Sequence, residues 1–220
     1  MLTWRYSSPR KRAFDAQLTV GALLLMVSVI MNARGATSQE TWAWNNWPTS
    51  VDKVPGKIWD WRQPQFLAGL IHPPLPQDFP LLKDRINFAS PESDKYLWYG
   101  WSWNEPEIRW SDGREAAVIF ALNEASNSVL QIRMGPFVFP GKIDEQKVNI
   151  AINGQPIQHP VLKDDEIQTY SMTVSKDILK NKNILTLDLP NAASPKSLKV
   201  SGDLRKLGIK VEWMQLQTRH

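Results

Sequence analysis

The chain has 220 residues and no cysteine, which excludes disulfides, thiolate nucleophiles and thiolate metal sites. Its formal charge of +4 belongs to the tail: Arg5, Arg10, Lys11 and Arg12 come before any acid, and the other 22 basic residues balance the 22 acidic ones. A nucleic-acid-binding domain keeps its basic excess on the folded part, so that class is set aside.

Residues 1–15 read as a basic cytoplasmic tail. Residues 16–33 follow as an uncharged apolar run, just short of the roughly 20 residues that span a bilayer but within the lower part of the usual range with its flanks, and read as a transmembrane anchor. By the positive-inside rule the N-terminus lies in the cytoplasm and the rest on the outer side. The same order of basic, apolar and small residues also describes a cleaved signal peptide, with Ala33-Arg34-Gly35 as the cleavage region. Against cleavage, the basic region is long and contains Asp15, and Arg34 sits inside the site itself.

Residues 34–83 are expected to form an irregular connector rich in Trp and Pro. Trp42, Trp44, Trp47, Trp59 and Trp61 alternate there with Pro48, Pro55 and Pro64. These indoles suit either a membrane interface, where one end is wet and the other apolar, or packing of the connector itself. Residues 72–80 carry four prolines and read as an extended linker.

From residue 84 to 220 the pattern becomes that of strands, expected at 96–103, 115–122, 128–134, 146–152, 156–162, 167–174, 183–189 and 207–217. Lys147–Ile152 alternates polar and apolar residues at period two. Asn153-Gly154 is a strong hairpin signal. Ser175 is placed to cap one helical turn. Eight short strands with regular turn signals predict an all-β fold, an antiparallel β-sandwich of jelly-roll type.

The chemistry-bearing residues gather at 101–110. Trp101, Trp103, Asn104, Glu105, Arg109 and Trp110 combine flat apolar rings with hydrogen-bonding groups, which is what stacking on a pyranose requires. Equally, alternate tryptophans can fill a sandwich core while Glu105 pairs with Arg109. Glu105 and Glu107, two apart on a strand, would stand about 6.5–7 Å from one another. Glycoside hydrolysis asks for about 5–10 Å between its two carboxyl groups. Pro106 interrupts that strand, however, and Arg109 would keep a carboxylate ionised. A second cluster, Ser201–Ile209, holds Asp203 and Arg205, either a turn-fixing pair or supporting ligand contacts. His72, His159 and His220 show no metal-ligand or triad spacing, and no cofactor motif is present.

Several of these segments together resemble a known family. Gly100-Trp101, Glu105, Arg109-Trp110-Ser111, Val148–Gly154, Ser194-Pro195 and Ser201–Ile209 are similar to the poorly characterised periplasmic β-sandwich domain at the C-terminus of bacterial membrane glycosyltransferases and related envelope-polysaccharide proteins. The resemblance covers about residues 84–218. Trp59–Leu67 also looks like the segment after the last transmembrane helix of some of those transferases. One departure is Ile108, where the family has glycine before Arg109-Trp110.

The resemblance implies a bacterial inner-membrane protein, single-pass, whose periplasmic domain assists envelope glycan assembly without chemistry of its own. It would do so by binding a saccharide or by docking on a membrane glycosyltransferase. The expected partners are therefore the lipid bilayer through 16–33 and a saccharide or a transferase. The expected ligand contacts are Trp101, Glu105, Arg109, Trp110, Asp203 and Arg205. A purely structural or protein-interaction module, the C-terminal piece of a split multi-pass transferase, and a glycan hydrolase remain as alternative readings.

Overall fold

The computed structural model describes residues 9–46 and 50–218. Arg5 of the basic tail, Trp47 and Pro48 of the connector, and His220 lie outside the described residues. The chain forms two compact units, Met1–His72 and Pro73–His220.

In the first unit, helix α1 (Pro9–Thr37) contains a 23-residue stretch, Asp15–Thr37, whose most apolar 18-residue window has a mean hydropathy of 1.8 and no buried residue. It is long and apolar enough to cross a membrane. Helix α2 (Gln39–Asn46) follows after one residue. The Ser38 hydroxyl accepts from the Thr41 amide at 3.3 Å, and this cap starts α2 where an irregular connector was expected.

The remainder of the unit is a loop tied to these helices. Arg34, in the last turn of α1, donates to the carbonyl of Phe66 at 3.3 Å and to that of Ala68. Trp44 is buried and donates its indole N–H to the Gln63 carbonyl at 3.0 Å. The Lys57 ammonium lies 4.7 Å from the centre of the Trp44 ring and donates to the Trp44 carbonyl.

The second unit is an antiparallel β-sandwich. Residues 73–83 belong to it; the Leu82 amide, for example, bonds the Ala121 carbonyl at 2.9 Å. The first strands are β1 (Ile86–Asn87), β2 (Leu97–Tyr99), β3 (Trp101–Asn104), β4 (Arg109–Ser111), β5 (Glu115–Ala121) and β6 (Ser128–Pro136). Then come β7 (Gln146–Lys147), β8 (Asn149–Ile152), β9 (Gln155–Gln158), β10 (Val161–Leu162), β11 (Gln168–Val174), β12 (Lys182–Asp188) and β13 (Ile209–Thr218). One sheet has the order β11-β6-β13-β4-β3, with β1 also on β13; the other is β2-β5-β12-β8-β9. Strands β7 and β10 pair separately.

Period-two alternation builds the core between the sheets. On β6, Leu130, Ile132 and Met134 point inward and are fully buried. Val148, just before β8, and Ile150 and Ile152 along it do the same, as do Leu185 and Leu187 on β12. Each such side chain contributes about 1.5–3 kcal/mol relative to exposure. The β8–β9 hairpin turns on Asn153 (φ 52°) and Gly154 (φ 78°), the left-handed pair that the Asn-Gly sequence favours.

All eight expected strand regions are present. The regions 96–103, 146–152 and 156–162 are each divided into two strands, and the short β1 and β4 were not anticipated.

Candidate functional site

The break between β2 and β3 places everything that follows. Gly100 has φ +76°, and a Cβ there would lie 1.9 Å from the Glu115 carbonyl oxygen, so only glycine fits. The turn sends Trp101 inward. It is 8% exposed, stacks at a tilt on Phe88 with ring centres 4.9 Å apart, and donates its indole N–H to the Ala117 carbonyl at 2.9 Å.

On the short β4, Arg109 and Ser111 face inward and Trp110 is partly exposed. Arg109 is 1% exposed. It pairs with Asp94 at 2.7 Å and donates to the Phe88 carbonyl at 3.0 Å. Two expectations are thereby corrected. Trp101 and Arg109, placed among the ligand contacts from sequence, face the core because the strand period turns them there. The Glu105–Arg109 pair is not formed, since Arg109 takes Asp94 and Glu105 takes Arg205. The Glu105 amide donates to the Ile108 carbonyl at 2.9 Å, so Ile108 closes this hairpin loop without a glycine.

Ser111 locks the β3–β4 hairpin to the last strand. Its buried hydroxyl accepts from the amides of Gly208 at 3.1 Å and Ile209 at 3.0 Å. The Asp112 carboxylate accepts from the Lys206 amide at 2.9 Å. This grip carries the Ser201–Ile209 segment onto the hairpin.

There the two sequence clusters meet. Arg205 forks onto Asp203 at 2.7 Å, reaches Glu105 at 3.1 Å with its other terminal nitrogen, and donates to Ser102 at 3.3 Å. Its guanidinium carbon lies 4.3 Å from the centre of the Trp103 ring. Burial raises the Asp203 carboxyl, but the hydrogen bonds and charge of Arg205 outweigh it and hold the group below its ordinary value. Burial likewise lowers the Arg205 guanidinium, and its two carboxylate partners outweigh that and raise it.

Trp103 is 42% exposed. One ring face therefore rests on Arg205 while the side chain stays open to solvent. An open indole face rimmed by two carboxyl groups offers stacking to an apolar patch and acceptors to neighbouring hydroxyls. Of the six expected contacts, Glu105, Asp203 and Arg205 come together around Trp103. Trp110 lies elsewhere, edge-on to Phe137 at 6.0 Å with the Lys210 ammonium 5.8 Å from its ring centre.

Beyond Glu105, Pro106 and Glu107 line a cavity of about 460 Å³ together with Arg85, Asn87, Glu212 and Trp213. Arg85 lies 4.1 Å over the Trp213 ring, and Glu212 is paired with Arg133 at 2.6 Å. Sequence reading missed this cavity, whose residues come from three distant segments. Glu105 and Glu107 have different surroundings: the first is bound to Arg205 and the second lines the cavity. Among the described residues no group of three or more His, Cys, Asp or Glu side chains is placed to hold a metal ion. His159 sits on the surface with its Nδ1 at 2.9 Å from the Asn149 side-chain oxygen.

No protein-family model matches the chain. No curated protein matches it. Among solved structures, a variant of a family 29 carbohydrate-binding module is similar at 16% identity and a TM-score of 0.40, over 61% of this chain and 89% of that one. A family 35 carbohydrate-binding module from an environmental isolate is similar at 13% identity and a TM-score of 0.34, over 65% and 90%. A family 36 module of a xylanase from the hindgut metagenome of Trinervitermes trinervoides is similar at 10% identity and a TM-score of 0.34, over 51% and 78%.

Proposed function

We propose that this chain is a membrane-anchored, non-catalytic saccharide-binding module. It stands on the periplasmic side of a bacterial inner membrane, with its N-terminus in the cytoplasm, and assists envelope glycan assembly beside a membrane glycosyltransferase. The observation that carries the binding role is Trp103, an exposed indole backed by Arg205 and rimmed by Glu105 and Asp203. Fixing the ring in advance removes the ordering entropy that a loose aromatic would lose on binding. Arg205 ties both carboxylates in place, its single positive charge offsetting one of theirs, and leaves their outer lone pairs for hydroxyl donors. Glu105, tied to Arg205, serves this reading as an acceptor and not as a proton donor.

The test is binding of the full chain, held in lipid nanodiscs, to an array of bacterial envelope glycans. Trp103→Ala is expected to weaken the positive signals by about tenfold or more, as loss of a central aromatic anchor does. Trp110→Ala is expected to leave them unchanged. Equal signals from the parent chain and Trp103→Ala would overturn the site, and no signal from any glycan would overturn the binding role.

A further inference from the structure

We infer that the loop carrying Ile58, Trp59 and Trp61 is a second membrane contact, a foot seated in the lipid headgroup layer beside the end of α1. The inference rests on the reading of α1 as a spanning helix. It is independent of saccharide binding.

The described tryptophans of the first unit fall into two kinds, one buried and three exposed, Trp42 at 53% among the latter. Trp44 is buried and serves packing. Trp59 and Trp61 are 74% and 75% exposed, with Val54 and Ile58 exposed beside them. Four large apolar side chains within eight residues, each about half exposed or more, form an apolar patch at the surface of this unit. Indoles of this kind favour the boundary between hydrocarbon and water, where the ring is half apolar and its N–H finds a partner.

Three features direct the patch toward lipid. The loop is bonded to the end of the apolar helix itself, through Arg34 to the carbonyls of Phe66 and Ala68. The turn Pro55–Trp59 is clamped by Lys57 onto buried Trp44, so the patch has a fixed place relative to α2. The one acid between the two tryptophans, Asp60, is covered by the fork of Arg62 at 2.9 and 3.0 Å, which offsets its charge at a lipid surface. The occupant is thus the same bilayer that would hold α1.

The absence of cysteine in the native chain allows a direct test. Gly56→Cys places a thiol in the turn where a side chain meets nothing within 4 Å, leaving both tryptophans intact. The full chain carrying an environment-sensitive fluorophore there is reconstituted in phosphatidylethanolamine–phosphatidylglycerol vesicles. Labels at Leu24→Cys in α1 and Glu124→Cys on the sandwich mark the buried and wet limits. The expected result at residue 56 is quenching by nitroxide lipids labelled near the headgroup and loss of quenching by aqueous iodide. Adding Trp59→Ala and Trp61→Ala is expected to restore iodide quenching. If residue 56 is quenched by iodide as strongly as residue 124 while residue 24 is shielded, the foot is overturned and the anchor stands. If residue 24 is also wet, the anchor fails and the foot with it.

Discussion

Arg205 holds Trp103 from beneath, its guanidinium carbon 4.3 Å from the ring centre, while its nitrogens bind Asp203 and Glu105. One side chain thus joins the two polar clusters of the sequence and sets the only strongly exposed indole described in the sandwich unit. Replacing Arg205 with Met removes two ion pairs from a largely buried place and leaves two carboxylates facing one another. A loss of about 3 kcal/mol is expected. Arg205→Lys is expected to recover less than half of it, because an ammonium cannot fork onto Asp203 and span to Glu105. Urea denaturation of the full chain in detergent, read by near-ultraviolet circular dichroism, measures both. Trp103→Ala is expected to stay near the parent value.

Gly100 and Gly154 share a left-handed backbone and differ in their surroundings. Gly154→Ala meets open space and is expected to lose about 1 kcal/mol from strain alone. Gly100→Ala drives a methyl group to within 1.9 Å of the Glu115 carbonyl oxygen and is expected to give no folded sandwich. Thermal unfolding of the two variants separates conformational strain from steric exclusion. Similar melting temperatures would contradict this account of the β2–β3 turn.

Ser111→Ala leaves the buried amides of Gly208 and Ile209 without their acceptor. A destabilisation of about 2–3 kcal/mol is expected, with little change in the volume packed. Ser111→Thr is a poor substitute, because the extra methyl has no room in a fully buried position. Amide hydrogen exchange at residues 208 and 209 reports the effect directly, through faster exchange there than along β6.

Acid is expected to weaken the sandwich through Asp203. Its native carboxyl binds a proton less readily than the ordinary value of 3.8, so protonation favours the unfolded chain. The contribution is complete above 3.8 and is lost as pH falls through the lower native value. Denaturation midpoints measured between neutral pH and strong acid should therefore decline more steeply for the parent chain than for Asp203→Asn. In alkali, burial and the charge of Glu115 push the Tyr99 hydroxyl up to about 12, so its stabilising share persists to pH 10 and disappears toward 12. Absorbance titration at the tyrosinate band checks the second statement.

The fold was legible in the sequence because burial at period two and Asn-Gly turn chemistry are local. Lys147–Gly154 and Lys182–Asp188 carry their strand and hairpin signals within a few residues, and the apolar run of α1 is equally self-contained. The amino-acid order also placed the important residues in two short clusters, around Gly100–Gly113 and Ser201–Ile209. What it left open was which side chains face one another. Glu105 lies four residues from Arg109 in the chain, yet β4 turns Arg109 into the core toward Asp94 and Phe88, and Ser111 draws Arg205 across to Glu105. The same holds for the tryptophans: Trp101 is in the core and Trp103 at the surface because a glycine turn and a bulged hairpin set their directions. Residue types and local period determine the elements; the pairing of a buried charge follows from which group the folded chain brings against it, and that is a property of the tertiary structure alone.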